Sequence, residues 1–382
     1  MITSQEFHNQ TADRLTSAAP RAKTLSAFVG LDGFVDEILE VVDTRYDATR
    51  YDAIPTIGEL GRRLVAADGA GTNIELVSKM TKLGGNGPIM ANALAMLGLK
   101  VSYLGSLGYP GLHPIFDGFS KKAEVASICG PGLTDALEFG NGKIMVGKHY
   151  TLKEVNWENI CGRYGLEKFA RRFGSADLVG FVNWTMLPFM SDIWESIHKE
   201  LMPVLGGPRR RIFFDLADPE KRTQEDILRA LDLILKFQTK FDVILGLNKK
   251  EALEIGAVLG LPVPPKTDVK PDEIDPEAIA GLVVEIQRRI PVETLVVHPV
   301  TFALAVSGGV ASIVAGPSCG KPKITTGAGD HFNAGFCFGK LLGLDNAESV
   351  LCGVSTSGHY VRTAESPTVT DVAALMKNWP QA

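Results

Sequence analysis

Residues Lys323–Leu344 read KITTGAGDHFNAGFCFGKLLGL: two glycines around an alanine, an acid, and then an amphipathic run with helical spacing. Small residues let backbone N–H groups approach a ligand closely, and a helix start adds free donors and positive dipole, so Gly327, Ala328 and Gly329 predict an anion site. Asp330 conflicts with that reading, because a carboxylate beside an anion site repels the anion. Two readings stand at this point: Asp330 caps the helix, as Asp commonly does, or it does chemistry on what the anion site holds.

Neighbouring patterns narrow the anion site. A dinucleotide fingerprint needs a third glycine where Phe332 stands, and a Walker A loop needs four residues between its glycines, whereas GPSCGKP (316–322) has three and then Pro322. Working outward, short apolar runs alternate with helical patterns. LSAFVGL (25–31), KVSYLGSLG (100–108), ADLVGFVN (176–183), RRRIFFDLAD (209–218), FDVILGLN (241–248), ETLVVHP (293–299), FALAVSGG and GVASIVAG read as strands. MSDIWESIHKELMPVL, EDILRALDLILKF and KKEALEIGAVLG read as helices between them. That order predicts an α/β fold whose mostly parallel sheet carries helices on both faces. DALEFGNGKIMVGKHYTLK (135–153) predicts a hairpin turning at Gly140–Gly142, and GLPVPPKTDVKPDEIDPEA (260–278) a surface loop.

The chain has 382 residues, is 45% hydrophobic and 22% charged, and carries a formal charge of −5. It is long enough for a large core. Without a block of Lys and Arg, nucleic acid and an anionic membrane surface are excluded as main partners. Five scattered cysteines form no CxxC pair or zinc pattern, and no apolar run reaches membrane-spanning length, so buried thiols and a cytoplasmic protein are expected.

TTGAGDHFNAGF (325–336) is similar to the C-terminal signature of the ribokinase-like (PfkB) carbohydrate kinases, and GGNGPIMANALAMLG (84–98) resembles their N-terminal glycine signature. NKKE (248–251), after a strand and opening a helix, matches their Asn-x-x-Glu motif. The three occur in the family's order. The resemblance implies a single ribokinase-like domain over residues 1–382, a three-layer α/β/α sandwich. It also implies a small β-sheet lid drawn from about 37–44, 73–82 and 135–150, with the helical insert 56–67 as an elaboration. Phe139, Ile144 and Met145 are expected to pack within that lid.

It further implies ATP-dependent phosphorylation of a hydroxyl on a sugar or sugar-like molecule. Asp330 would be the general base, because a carboxylate in hydrogen-bond reach can take the proton of an attacking hydroxyl. The Gly327, Ala328 and Gly329 N–H groups would face the transferring phosphoryl group. Asp36, with Asp32, Gly85 and Asn86, would hold the sugar. Asn92 either meets substrate or satisfies core polar groups. Asn248 and Glu251, at i and i+3, share a helix face and would place Mg²⁺ through water, unless they are merely a solvated helix start. Thr326 and His298 would face the nucleotide.

Departures from the family pattern matter too. Ile324 replaces an acid of the monovalent-cation site and cannot ligate a cation through its side chain. His298 and Pro299 replace a glycine turn beside the nucleotide, so His298 is a loop histidine, a nucleotide contact, or a sign of altered donor binding. Ile89 replaces a sugar-binding Asn. A nucleoside or other alcohol as acceptor, or a catalytically silent sugar sensor, are the competing functions. A homodimer is expected by resemblance alone.

Overall fold

A computed structural model describes residues 1–264 and 275–380. Among the described residues the fourteen strands are β1 Ser26–Leu31, β2 Phe34–Arg45, β3 Tyr51–Ala53, β4 Leu76–Gly84, β5 Lys100–Gly105, β6 Glu124–Ser127, β7 Gly132–Phe139, β8 Gly142–Lys148, β9 Leu178–Phe181, β10 Arg210–Asp215, β11 Phe241–Leu247, β12 Thr294–Val297, β13 Phe302–Ser307 and β14 Val310–Ala315. Nine form one sheet in the order β14-β13-β12-β11-β10-β9-β1-β5-β6. Pairing is parallel from β12 through β6, and only the β12–β13 and β13–β14 steps are antiparallel.

Alternation along these strands explains the layers. On β10, Ile212 and Phe214 enter one apolar cluster and Phe213 the other; on β13, Phe302, Leu304 and Val306 oppose Ala303 and Ala305. One cluster is completed by Phe169 and Phe173, Trp194, Ile234 and Val283 from helices Leu166–Ser175, Met190–Glu200, Gln224–Phe237 and Pro276–Arg289. The other is completed by Leu15, Leu94, Phe336, Leu351 and Met376 from helices Gln5–Ala18, Asn86–Met96, Ala328–Leu341, Asn346–Thr363 and Val369–Lys377. A sheet whose strands are apolar on both faces must be covered twice, which is the α/β/α sandwich.

A second sheet leaves this body. After β1 the chain turns at Asp32 and Gly33 into β2, which pairs with β3 and β4 in antiparallel fashion and with β7 in parallel; β8 completes the sheet as a hairpin partner of β7. Its own small core contains Leu39, Val41, Ile54, Leu60 and Leu137. Leu60 comes from helix Ile57–Ala66, so that insert is stitched to the small sheet. At roughly 1.5–3 kcal/mol per buried aliphatic side chain, this cluster is enough to keep the insert attached. Phe139 and Ile144 pack against the cluster. Met145 does not: its side chain is half exposed and faces the cavity described below, because alternation along β8 puts it on the opposite face from Ile144.

Of the five free thiols, Cys129, Cys337 and Cys352 are buried, whereas Cys161 and Cys319 are partly exposed. The predicted loop 260–278 falls largely on residues 265–274, outside the described residues. No helix among the described residues is long and apolar enough to cross a membrane.

Candidate active site

Five neighbouring parallel strands each end on a polar residue. In sheet order these are His298 after β12, Asn248 after β11, Asp215 at the end of β10, Asn183 beyond β9 and Asp32 after β1. The carboxyl edge of an open parallel sheet is where ligands bind. A cavity of about 400 Å³ lies there, with the small sheet on its other side. Phe34, Asp36, Thr134, Met145 and His149 approach from the small sheet and the segment after it; Gly85, Asn86, Thr326, Gly327, Gly329 and Asp330 line it from two helix starts.

The start of helix Ala328–Leu341 settles one question left by the sequence. Gly327, at φ 92°, is its N-cap, and no side chain caps it. Asp330 is the third residue inside, so the capping reading of Asp330 is wrong. Its buried carboxyl instead pairs with the Asn86 side chain. Burial, followed by the charges of Asp215 and Asp32, raises its pKa well above the usual carboxylate range. Only glycine adopts the Gly327 conformation without strain, and a Cβ there would stand 3.2 Å from the Tyr360 hydroxyl. The Tyr360 hydroxyl donates to the Thr326 carbonyl at 2.9 Å, tying the loop from behind.

Asn248 and Glu251 close a reciprocal capping box. Asn248 Oδ1 accepts from the Glu251 N–H at 3.0 Å, and Glu251 Oε2 accepts from the Asn248 N–H at 2.8 Å. Glu251 Oε1 also accepts from the Asp218 N–H at 3.0 Å. Glu251 is buried, so the alternative of a solvated helix start is excluded. Burial raises its pKa and outweighs those N–H donors.

Asp32 requires a correction. It does not line the cavity; it lies beneath it, fully enclosed. Its Oδ1 accepts from the Gly87 N–H at 2.9 Å and from the Tyr103 hydroxyl at 3.2 Å, and its Oδ2 from Asn183 Nδ2 at 2.8 Å. Burial pushes its pKa up to about 6 against those bonds. Asp32 therefore braces the glycine loop Gly84–Gly87, while Asp36, four residues on and already in β2, faces the cavity. Asn92 also points elsewhere: it bonds Ser366 and Lys122.

His298 lines the cavity as a neutral ring. Burial lowers its pKa to about 4, and it packs on Phe332 with ring centroids 4.8 Å apart, beside Gly329.

The motifs missed Asp215, Asn183, Asp218, Lys221, His149 and Met186, all of which line the cavity. Asp215 accepts from the Ala217 N–H at 2.9 Å and from Asn333 Nδ2 at 2.8 Å. Burial and the Glu251 charge hold its pKa well above the usual range. A usable signal existed: each of Asp32, Asn183, Asp215, Asn248 and His298 stands at or just past the end of an apolar strand run.

Among the described residues no cluster of three or more His, Cys, Asp or Glu side chains forms a direct metal cage. The cavity does gather hard oxygen donors: Asp215, Asp218 and Glu251 lie along one wall with Lys221 as the lining cation. That donor set fits a hydrated Mg²⁺ that arrives with phosphate oxygens and keeps its waters.

Comparison with known proteins agrees with this geometry. The sequence model of the prokaryotic ketohexokinase family matches residues 10–379. A ketohexokinase of Haloferax volcanii is 28% identical over 383 residues, spanning 99% of this chain and 98% of that protein. Similar solved structures include Arabidopsis thaliana ribokinase complexed with ribose and ATP, at 17% identity and TM-score 0.62 over 92% of this chain and 98% of that one. Escherichia coli phosphofructokinase-2 in complex with substrates and products gives 14% identity and TM-score 0.60 over 93% and 99%. These structural likenesses establish the ribokinase fold.

Proposed function

The chain belongs to the prokaryotic ketohexokinase family and is an ATP-dependent phosphotransferase acting on a sugar hydroxyl; we propose that its acceptor is a ketohexose and that Asp330 is the base. The observation that carries the role of Asp330 is a buried carboxyl one turn inside a helix start whose N-cap supplies no side chain. The ketohexose is supported by the family's description and by the Haloferax relative.

In this reading the sugar lies between the small sheet and the carboxyl edge of the large one. Asp36, held at the start of β2, accepts sugar hydroxyls, with Thr134 beside it and Gly85 and Asn86 opposite. Asp330 takes the proton of the attacking hydroxyl; its raised pKa makes it a stronger acceptor than a solvated aspartate once ionised. The N–H groups of Gly327 and Gly329, both on the cavity wall, would face the phosphoryl oxygens, where charge sits during transfer; Ala328 drops out of the expected cradle, because its N–H donates to the Thr325 carbonyl at 3.1 Å. Thr326 and His298 border the nucleotide side, and His298, neutral, adds no charge there. Asn248 and Glu251, with Asp215 and Asp218 beside them in the cavity lining, would hold the waters of Mg²⁺, and the cation would neutralise phosphate charge. The small sheet acts as a lid: excluding water from the cavity suppresses ATP hydrolysis. A homodimer through the small sheet belongs to the same reading, with Leu76 and Met80 exposed along its edge strand β4. A cytoplasmic location completes the reading, since ATP is the phosphate donor.

The test is ADP release from MgATP against ketohexoses, aldoses, sugar acids and nucleosides, with Asp330→Asn assayed in parallel. A ketohexose is expected to give the highest kcat/KM, and Asp330→Asn to lower kcat by roughly a hundredfold or more with unchanged circular dichroism. Preference for a nucleoside would overturn the acceptor; an Asp330→Asn enzyme as active as the parent would overturn the base.

A further inference from the structure

Among the described residues that line the active cavity, the carboxyl groups of Asp36, Asp215, Asp218, Glu251 and Asp330 stand against one lysine, Lys221, and no arginine. Lys82 and Lys143 act on Asp36 by charge but do not line the cavity. The two histidines on the wall add little positive charge. Burial lowers the His298 pKa to about 4, and burial followed by the Lys221 charge lowers that of His149. A nucleoside triphosphate brings more negative charge into a space already rich in it, so the place of that one cation matters.

The loop after β10 carries Lys221 and is fastened on both sides of it. Ala217 and Asp218 lie in the left-handed region, at φ 54° and 55°, which successive non-glycine residues keep only where their surroundings hold them. Two buried carboxyl groups do so: Asp215 Oδ1 accepts from the Ala217 N–H at 2.9 Å, and Glu251 Oε1 from the Asp218 N–H at 3.0 Å. Beyond Lys221, the Arg222 guanidinium donates to the carbonyls of Thr185, Trp184 and Leu187 at 3.1, 3.3 and 2.9 Å. The Lys221 side chain itself is half exposed, and its ion pair with Asp218 Oδ2, at 3.2 Å, is of a kind that adds little stability. Asp218 does not depend on it, because Lys250 Nζ lies 3.5 Å from Asp218 Oδ1. Lys250 is not on the cavity wall.

We propose that Lys221 is a further catalytic residue, which exchanges Asp218 for the γ-phosphate of ATP and takes the charge of the phosphoryl group in transit. Sheet order supports the position. On one side of β10 lie β9 and then β1, which leads through the turn at Asp32 and Gly33 to Asp36 and the sugar. On the other side lie β11 and β12, which lead to Asn248 and His298, the cation and the nucleotide. The loop after β10 therefore stands where the γ-phosphate has to meet the sugar hydroxyl. His149, which feels the Lys221 charge, reaches the cavity from the segment after β8, so the lysine also lies beneath the small sheet. In the transfer step the bond from the γ-phosphorus to the β,γ-bridging oxygen breaks and ADP leaves with its electron pair. The sugar oxygen bonds to phosphorus and its proton goes to Asp330, while Lys221 keeps its own protons and supplies charge alone. A lysine ammonium suits that task, being a compact charge with three donors on a flexible stem. The inference rests on the proposed placement of sugar and nucleotide.

The test pairs Lys221→Met with Lys250→Met, because both lysines hold the same carboxylate and only the first lines the cavity. Turnover is measured with MgATP and the best acceptor of the panel above, and calorimetry gives the Kd of MgADP and of the non-hydrolysable analogue MgAMP-PNP. Lys221→Met is expected to lower kcat about a hundredfold, the scale of losing one donor to the charge of the transition state. It should weaken AMP-PNP about tenfold and leave the Kd of ADP within about twofold, since only the analogue carries a γ-group. Lys221→Arg, which keeps the charge, should restore most of the AMP-PNP affinity, and Lys250→Met should keep kcat within about threefold of the parent. Parental kcat in Lys221→Met overturns the proposal, and so does an equal weakening of ADP and AMP-PNP. A loss in Lys250→Met as deep as that in Lys221→Met overturns it too, since both lysines would then merely fasten the loop. Asp330→Asn serves as the control: if it stays active while the Lys221 series behaves as stated, the base reading fails and the role of Lys221 stands.

Discussion

At Asn248 the chain enters a helix whose first turn is closed on itself, and at Gly327 it enters one whose first turn is left open. Both starts face the same cavity. In the first, Asn248 and Glu251 exchange backbone bonds, and Glu251 takes a third N–H from Asp218. In the second, the N-cap has no side chain at all, and the loop is held from behind by Tyr360 and His331. A capped start spends its donors on its own stability, whereas a start without a side-chain cap leaves donors for an anion beyond the Ala328 N–H, which bonds the Thr325 carbonyl at 3.1 Å. In the proposed reading, charge recognition belongs to the Gly327 start, and shape, with cation placement through water, to the Asn248 start.

The most damaging break is Gly327→Ala. A Cβ at φ 92° costs roughly 1–2 kcal/mol of strain, and it meets the Tyr360 hydroxyl at 3.2 Å and Ile89 at 3.3 Å. Relief of those contacts must turn the peptide that aims the open donors. We expect kcat to fall about a hundredfold, the scale of losing one oxyanion donor, with a modest drop in thermal midpoint. Steady-state kinetics beside a thermal melt checks this; a melt that drops while kcat holds would reverse the assignment of the two starts.

Acid pH sharpens the same contrast. Asp330 stands just inside the open start, and burial followed by the charges of Asp215 and Asp32 raises its pKa, while Asn86 opposes that rise. A base with a raised pKa is lost sooner on acidification, so kcat should fall about tenfold per unit below an apparent pKa higher than that of a solvated aspartate. Asp215→Asn removes one of the charges that hold the proton on Asp330, so the acid limb should move to lower pH. A pH profile of kcat for parent and variant decides it, and an unmoved limb would mean that Asp215 is not coupled to the base.

These two starts also show how far the sequence could be read. Glycines around an acid revealed the Gly327 loop directly, because the backbone conformation and close approach demand those residue types. Alternating apolar runs exposed the large sheet for an equally direct reason, since strands such as β10 and β11 are buried on both faces. Helix Gln5–Ala18 was not legible: it buries His8 and Thr11 along with Ala12 and Leu15, so polar residue types obscure its apolar stripe. Strand β6 is four partly exposed residues at the sheet edge. Asp32 and Asp36 share one short segment, and nothing local says that the chain crosses between sheets at Gly33, leaving the first acid beneath the cavity and the second in it. Asp215, Asn183, Lys221 and His149 come from separate parts of the chain and meet only when the sheets are assembled.

The mildest change tests the closed start. Asn248→Ala removes the acceptor for the Glu251 N–H but leaves the bond from the residue 248 N–H to Glu251 Oε2 and the bond from Asp218 to Oε1. Losing an N-cap of this kind costs about 1 kcal/mol. Because two backbone donors still hold the Glu251 carboxylate, its position should survive, and kcat at saturating Mg²⁺ should stay within about threefold of the parent. The concentration of Mg²⁺ needed for half-maximal rate should rise, since the Asn248 side chain no longer shares in placing the cation's waters. A titration of Mg²⁺ at fixed ATP, beside a chemical melt, separates the two effects. A loss of stability with an unchanged Mg²⁺ requirement would reduce Asn248 to a cap, and the closed start would then contribute to the cavity through Glu251 alone.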